Sequence, residues 1–224
     1  MHVCKKGMSN SMLVPIFYFI NEHGRDRSKY ALIQICIFVL LILSGEREFS
    51  VALNRPCTES LPFSLGVVRD TRYADVMFII TLQAIASDRD RHLKALYDCM
   101  LTILCNVSPY IKSMDMASAV KLSKFVDILA NPRFFFGGEH HPQLLHLTLQ
   151  ILTNVVQYQY QGNTQIVYSI LRKADTIRAI AKLSLRGEES PIPSAEEGSG
   201  EPSQGGEPGQ VVTEEKEVPV ERIS

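Results

Sequence analysis

The chain has 224 residues, 46% of them apolar and 21% charged, with 23 basic and 24 acidic side chains and a formal charge of −1. These proportions are ordinary for a globular protein of one large or two small domains. The near-zero total hides a basic body, +7 over residues 1–186, and an acidic tail, −8 over 187–224, where ten Glu face only Lys216 and Arg222. So small and scattered a basic excess excludes nucleic-acid binding as the expected role, while remaining compatible with an anionic lipid surface.

The first eleven residues read as a flexible start. "MHVCKKGMSNSM" is basic, but Pro15 interrupts the apolar stretch that follows and no small-residue cleavage site ends it, so it is not a signal peptide. It has no Gly at position 2 for myristoylation. Residues 12–21 form an apolar segment in which Pro15 suits a first helical turn.

The next segment, "YALIQICIFVLLILS" (30–44), is apolar at twelve of the thirteen positions from Ala31 to Leu43. Its fifteen residues make a helix of about 22 Å, short of the roughly 30 Å hydrocarbon thickness of a bilayer. Arg25, Asp26, Arg27 and Lys29 close one end, and Glu46, Arg47 and Glu48 the other. The expectation is a protein-enclosed helix with Ser28 as N-cap and Gly45 as C′ residue, covered on all sides by amphipathic neighbours. If neighbours are missing, its uncovered face favours aggregation. The rival reading is an integral membrane protein with 30–44 inserted, alone or together with 73–86.

Further along, "FSVAL" (49–53) alternates weakly and reads as a short extended piece, and 54–69, with Pro56, Pro62 and Gly66, as a loop. Asp70 or Thr71 caps a helix over 71–86 whose centre, Val76 to Ile80, is apolar nearly all round. "SDRDR" (87–91) is a charged turn. Helix 92–106 carries Leu93, Leu96, Tyr97, Met100, Leu104 and Val107 at steps of three and four, and Pro109 stops it. Asp115 starts helix 115–130, with Met116, Val120, Leu122, Phe125, Val126 and Leu129 on its apolar side and Lys121, Lys124 and Asp127 on its wet one. "NPRFFFGG" (131–138) is a loop whose three Phe anchor in the core. Pro142 opens helix 142–160, with Leu145, Leu149, Leu152, Val155 and Val156 inside. Gly162 and Asn163 break the chain before helices 164–173 and 175–185.

The pattern predicts an all-α fold over residues 12–186, an irregular helical-repeat array of armadillo or HEAT-like shape. From Gly187 the Glu, Ser, Pro and Gly composition predicts a disordered acidic tail.

Chemistry is sparse. The five cysteines (Cys4, Cys36, Cys57, Cys99, Cys105) form no CxxC pair, and their odd number and wide spacing point to free thiols in a reducing compartment. His140, His141 and His146 cluster, but off one helical face and without further ligands at metal spacing. "NVS" at Asn106 matches a glycosylation sequon at a helix end where Asn is a natural terminator. Tail serines such as Ser190 are ordinary phosphate acceptors. With no nucleophile elbow, phosphate loop or paired acid and base, the expectation is a non-enzymatic interaction protein without cofactor or small-molecule substrate.

Three stretches carry a resemblance: "LLILSGEREFSVALNRP" (40–56), "LYDCMLTILCNVSPYIKSM" (96–114) and "NVVQYQYQGNTQIVYSILRK" (154–173). They resemble the high-temperature-induced dauer formation protein family, relatives of the dymeclins, over about residues 12–183. Its motif residues here are Ser44, Gly45, Glu46, Arg47, Asn106, Pro109, Tyr110, Gln157, Tyr158, Gly162, Asn163, Tyr168, Arg172 and Lys173. The resemblance implies a non-enzymatic helical trafficking scaffold in the cytoplasm, peripheral on medial and trans-Golgi membranes. It further implies roles in dense-core vesicle formation and cargo sorting, with partners in the Golgi trafficking machinery. Family members are several times longer, so this is expected to be a partial chain. Ser44 to Arg47 are expected to terminate the apolar helix, with Glu46 and Arg47 paired locally.

Overall fold

The structure is a computed structural model and describes residues 12–62, 71–88, 90–138 and 140–188, with side chains described as far as Lys182. The flexible start expected for residues 1–11, Cys4, Gly66, Asp70, Ser190 and the expected disorder of the tail from Glu189 onward lie outside the described residues, whereas Gly187 and Glu188, expected to open that tail, are the last residues of a helix.

Ten α-helices and no strand are found among the described residues. They are α1 (Leu13–His23), α2 (Tyr30–Ser44), α3 (Arg47–Ala52), α4 (Tyr73–Ser87), α5 (Tyr97–Val107), α6 (Met116–Ala130), α7 (Pro132–Phe135), α8 (His141–Gln159), α9 (Thr164–Arg172) and α10 (Ala174–Glu188). The longer helices stack in two rows. One runs α1, α4, α6, α9; the other runs α2, α5, α8. Cross-packing of α1 on α2, α4 on α5 and α6 on α8 joins the rows. The result is a succession of helical pairs, as the repeat-array expectation required.

Burial follows position in the rows. α4 has a neighbour before and after it, and Tyr73 through Leu82 are all buried, Val76 to Ile79 completely. The helix expected over 92–106 begins only at Tyr97, after a 3-10 turn over Lys94–Leu96, but its predicted apolar residues are inside: Leu93 and Leu96 in the lead-in and Met100, Leu104 and Val107 on α5 are at 2% exposure or less.

The most apolar helix departs from expectation. α2 buries Ile33, Cys36, Ile37, Leu40 and Ser44 against α1 and α5. Its other side is open: Ile35 is 60% exposed, Phe38 42%, Val39 39% and Ile42 74%. The helix enclosed on all sides is α4, because α2 stands at the end of its row. The caps of α2 also differ. Asp26, not Ser28, caps the chain by accepting from the Ser28 N–H at 2.9 Å, and a 3-10 turn over Arg27–Lys29 leads into the helix. Gly45 keeps a right-handed φ of −69°, so it is no left-handed C′ residue.

Other expectations need correction. Residues 49–53 are not extended; they lie in and just after α3, which buries Phe49 and Leu53 one turn apart. The α4 start is held from within its first turn, Asp75 accepting from the Arg72 N–H at 3.3 Å, rather than by Thr71. Met116 and Val120 on α6 and Val156 on α8 are exposed, each on a side of its helix that no neighbour covers. Of the Phe triplet, Phe134 and Phe135 pack against the core, but Phe136 is 64% exposed.

Candidate functional site

The three motif stretches meet at one place, the link between α5 and α6. After Val107 the chain makes a 3-10 turn, Ser108–Tyr110, and then runs without regular structure to Asp115. Pro109 has no N–H and ends α5, which leaves a run of backbone carbonyls without helical partners. Buried carbonyls must find donors, and five side chains from other elements supply them. Asn154 donates to the Cys105 carbonyl at 3.2 Å, Gln159 to Pro109 at 3.1 Å and Asn54 to Tyr110 at 2.8 Å. Asn163 donates to Ile111 at 2.8 Å and Arg72 to Ser113 at 2.8 Å. Asn54 also accepts the Lys112 N–H at 2.9 Å.

The seam extends to α2 and α9. Asn106 donates to Ser44 Oγ at 3.0 Å, and Ser44 Oγ donates to the Leu41 carbonyl at 2.8 Å. Asn163 is 1% exposed and also donates to the Gln159 carbonyl at 2.9 Å. Gly162 lies so close to the Lys112 carbonyl that a Cβ on it would come within 1.8 Å of the oxygen. Apart from the Ser44 hydroxyl every donor here is an amide or a guanidinium, and apart from Ser44 Oγ and Asn54 Oδ1 every acceptor is a backbone carbonyl, so the chemistry of the seam is to fix three helical pairs to one turn.

Of the predicted motif residues, the structure brings Ser44, Asn106, Pro109, Tyr110, Gly162 and Asn163 into this seam. Gly45, Glu46, Arg47, Gln157, Tyr158, Tyr168 and Arg172 are exposed and stand apart from it. Glu46 and Arg47 do not pair with each other: neither belongs to any ion pair among the described residues. Lys173 binds the carboxylate of Asp127 on α6, tying the end of α9 to its row. The sequence reading missed Asn54, Arg72, Asn154 and Gln159. Their one signal is an amide or cation in or beside otherwise apolar helices.

Asn106 is half-buried and bonded to Ser44, which leaves the sequon no free amide. His141 is buried, its Nδ1 2.6 Å from the Phe134 carbonyl and its ring stacked on Phe134 at 4.1 Å, while His140 and His146 are exposed. Among the described residues no three His, Cys, Asp or Glu side chains converge as metal ligands, and Cys36, Cys57, Cys99 and Cys105 are free thiols.

A second polar cluster lies in and beside the charged turn 87–91. Asp88 is buried and accepts from the His92 and Leu93 N–H groups at 3.2 and 2.8 Å and from the Tyr97 hydroxyl at 2.9 Å. His92 Nδ1 lies 2.8 Å from Asp88 Oδ1, the oxygen that also accepts the His92 N–H. Burial and the Asp88 hydrogen bond push the Tyr97 phenol well up. Here too the carboxylate orders a turn, the link between α4 and α5.

Comparison with known proteins shows the family. The family described as "Dymeclin: Dyggve-Melchior-Clausen syndrome protein" matches residues 2–194. The chain belongs to the dymeclin family. Protein HID1 of Mus musculus is 39% identical over 172 residues, 77% of this chain and 22% of that protein. Protein HID1 of Dictyostelium discoideum is 34% identical over 177 residues, 79% of this chain and 19% of that one. The Ubp5-interacting protein ftp105 of Schizosaccharomyces pombe (strain 972 / ATCC 24843) is 28% identical over 167 residues, 73% and 18%. This dymeclin-family chain thus spans about a fifth of the length of the relatives it matches. No solved structure matches it.

Proposed function

We propose that this chain is a helical scaffold segment that holds protein partners in the trafficking machinery of the Golgi and carries out no turnover itself. The observation that carries the reading is the convergence of the three motif stretches on a structural seam, whose residues hold backbone carbonyls instead of forming a reacting centre. What those residues do is fix the relative placement of helical pairs, and a fixed placement is what a scaffold presents to its partners. One relative is named for its interaction with another protein, which supports protein partners for this chain as well. The finer reading is residence in the cytoplasm, peripheral on medial and trans-Golgi membranes, with a part in dense-core vesicle formation and cargo sorting. It rests on the family resemblance.

The test is localisation and affinity capture of the full-length protein. Co-purification of Golgi or vesicle-coat components, with co-localisation on medial and trans-Golgi markers, is expected. Capture of none of these, with diffuse staining, overturns the reading.

A second reading, insertion of α2 in a bilayer, is favoured by one observation. Arg27–Ser44 is long and apolar enough by composition to cross a membrane, and less than a third of it is buried. Carbonate extraction separates the two: release into the supernatant is expected for the scaffold, and retention in the pellet for an inserted helix.

A further inference from the structure

The open side of α2 is an ordered stripe. Ala31, Ile35, Phe38, Val39 and Ile42 recur at steps of three and four and are all exposed. At about 100° per residue they occupy one side of the helix, opposite the Ile33, Ile37, Leu40 and Ser44 side that faces α1 and α5. The stripe spans about 17 Å at 1.5 Å per residue. An apolar strip of this length facing water marks a contact surface.

The rows indicate what covers it. α4 and α5 each have a helix packed before and after them, and both are buried around most of their circumference. α2 is at least as apolar, yet among the described residues has a row neighbour on one side only. It has the composition of an interior helix in a terminal position. The relatives are about five times longer than the matched segment, so polypeptide for a further helical pair exists within the family. Charge restricts the occupant. Arg25, Arg27 and Lys29 are exposed at the start of the stripe; among the described residues Arg27 alone of the three is ion-paired, with Asp90 at a loose 3.9 Å, and Asp26 lies near Lys29, so the three cations outnumber the carboxylates there.

We propose that the α2 stripe is a repeat-to-repeat contact, filled by an amphipathic helix stacked on α2 as α2 is stacked on α5. The helix comes from dymeclin-family polypeptide outside the segment matched by this chain. Its inner face is apolar and its end nearest Lys29 is acidic. The contact continues the α2–α5 interface by one more pair, and it buries the surface that otherwise invites aggregation or lipid. This inference concerns assembly and does not depend on the Golgi reading.

The test is a photo-reactive benzoylphenylalanine in place of Phe38, introduced at the natural locus, followed by irradiation in cells and sequencing of the cross-linked peptides. A cross-link to an amphipathic helix of a dymeclin-family polypeptide, outside the region equivalent to 2–194, is expected. Ile42→Glu should reduce it by about tenfold or more, the loss of one buried Ile. Ile42 is 74% exposed, so far-UV circular dichroism and the melting temperature of the variant should match those of the parent. A cross-link to α2 of a second copy, to lipid, or to nothing overturns the proposal, as does a yield unchanged by Ile42→Glu.

Discussion

Asn106 on α5 and Ser44 at the end of α2 are 62 residues apart, and the Asn106 amide donates to the Ser44 hydroxyl at 3.0 Å. Ser44 in turn donates to its own helix at Leu41 and, through its backbone carbonyl, accepts from Ser50 Oγ at 3.3 Å. Two hydrogen bonds to Ser44 therefore join the α2 terminus to α5 and to α3. In a double-mutant cycle, Ser44→Ala and Asn106→Ala should each destabilise. Their coupling should be about 0.5–1.5 kcal/mol by urea unfolding, the usual worth of a neutral pair. Strict additivity would show that the two groups do not act together.

The two motif glycines should respond in opposite ways. At Gly162 a Cβ would sit 1.8 Å from the Lys112 oxygen, and both are backbone-fixed by the Asn54 and Asn163 bonds. Gly162→Ala should cost about 2–3 kcal/mol, as overpacking does. At Gly45 the φ of −69° suits any residue, and the nearest atom to a Cβ is the Ile42 oxygen at 3.4 Å. Gly45→Ala should be neutral or stabilising by up to about 1 kcal/mol through the unfolded state. Thermal melts of the two variants check the signs.

Helix existence was legible because period and punctuation are local. Leu93 to Val107 declare a face by spacing, Asp115 caps α6 as read, its side chain accepting from the Ala117 N–H at 2.9 Å, and Pro109 ends α5. What each helix meets was not legible. Ile42 and Leu40 look alike in sequence, yet one is 74% exposed and the other 1%. The difference lies in whether a neighbour stands beyond α2, which no residue of α2 encodes. The seam was half legible: Asn106, Gly162 and Asn163 stood out in their motifs, whereas Arg72 serves the Ser113 carbonyl across 41 residues with no local sign.

Asp75 gives a pH signature. It is 2% exposed on α4 and accepts from the Asp115 N–H at 2.8 Å. Burial raises its carboxyl above the ordinary value, against the opposing pull of that hydrogen bond. The folded state therefore binds this proton more tightly than the unfolded chain does. Its contribution to stability is fully present below the unfolded value and is lost as pH rises through the folded one. Asp75→Asn keeps an acceptor for Asp115 and removes the titration. The stability of the parent minus that of the variant, from urea unfolding across acid pH, should fall with rising pH and then level off. A difference that grows with pH would reverse the assignment.

Cys36 reports on whether α2 stays seated. It lies on the inner side of the helix at 6% exposure, beside Ile33, Ile37 and Leu40, and burial raises its thiol. Cys105 on α5 is 9% exposed and raised for the same reason, with Asn154 opposing. Since the thiolate is the reactive form, neither should be alkylated by iodoacetamide at pH 7 in the folded protein, and both should react in urea. The same two thiols distinguish membrane contact from insertion. Moving α2 into a bilayer would bare the faces of α1 and α5 that it covers and would orphan Asn106. At about 1.5–3 kcal/mol for each large apolar side chain uncovered, a handful of them matches the roughly 5–15 kcal/mol that holds a domain together. With anionic vesicles present, a lipid-soluble maleimide should still spare Cys36 while α2 lies seated with only its outer stripe available. Rapid labelling of Cys36 together with Cys105 would show that the helix leaves its place.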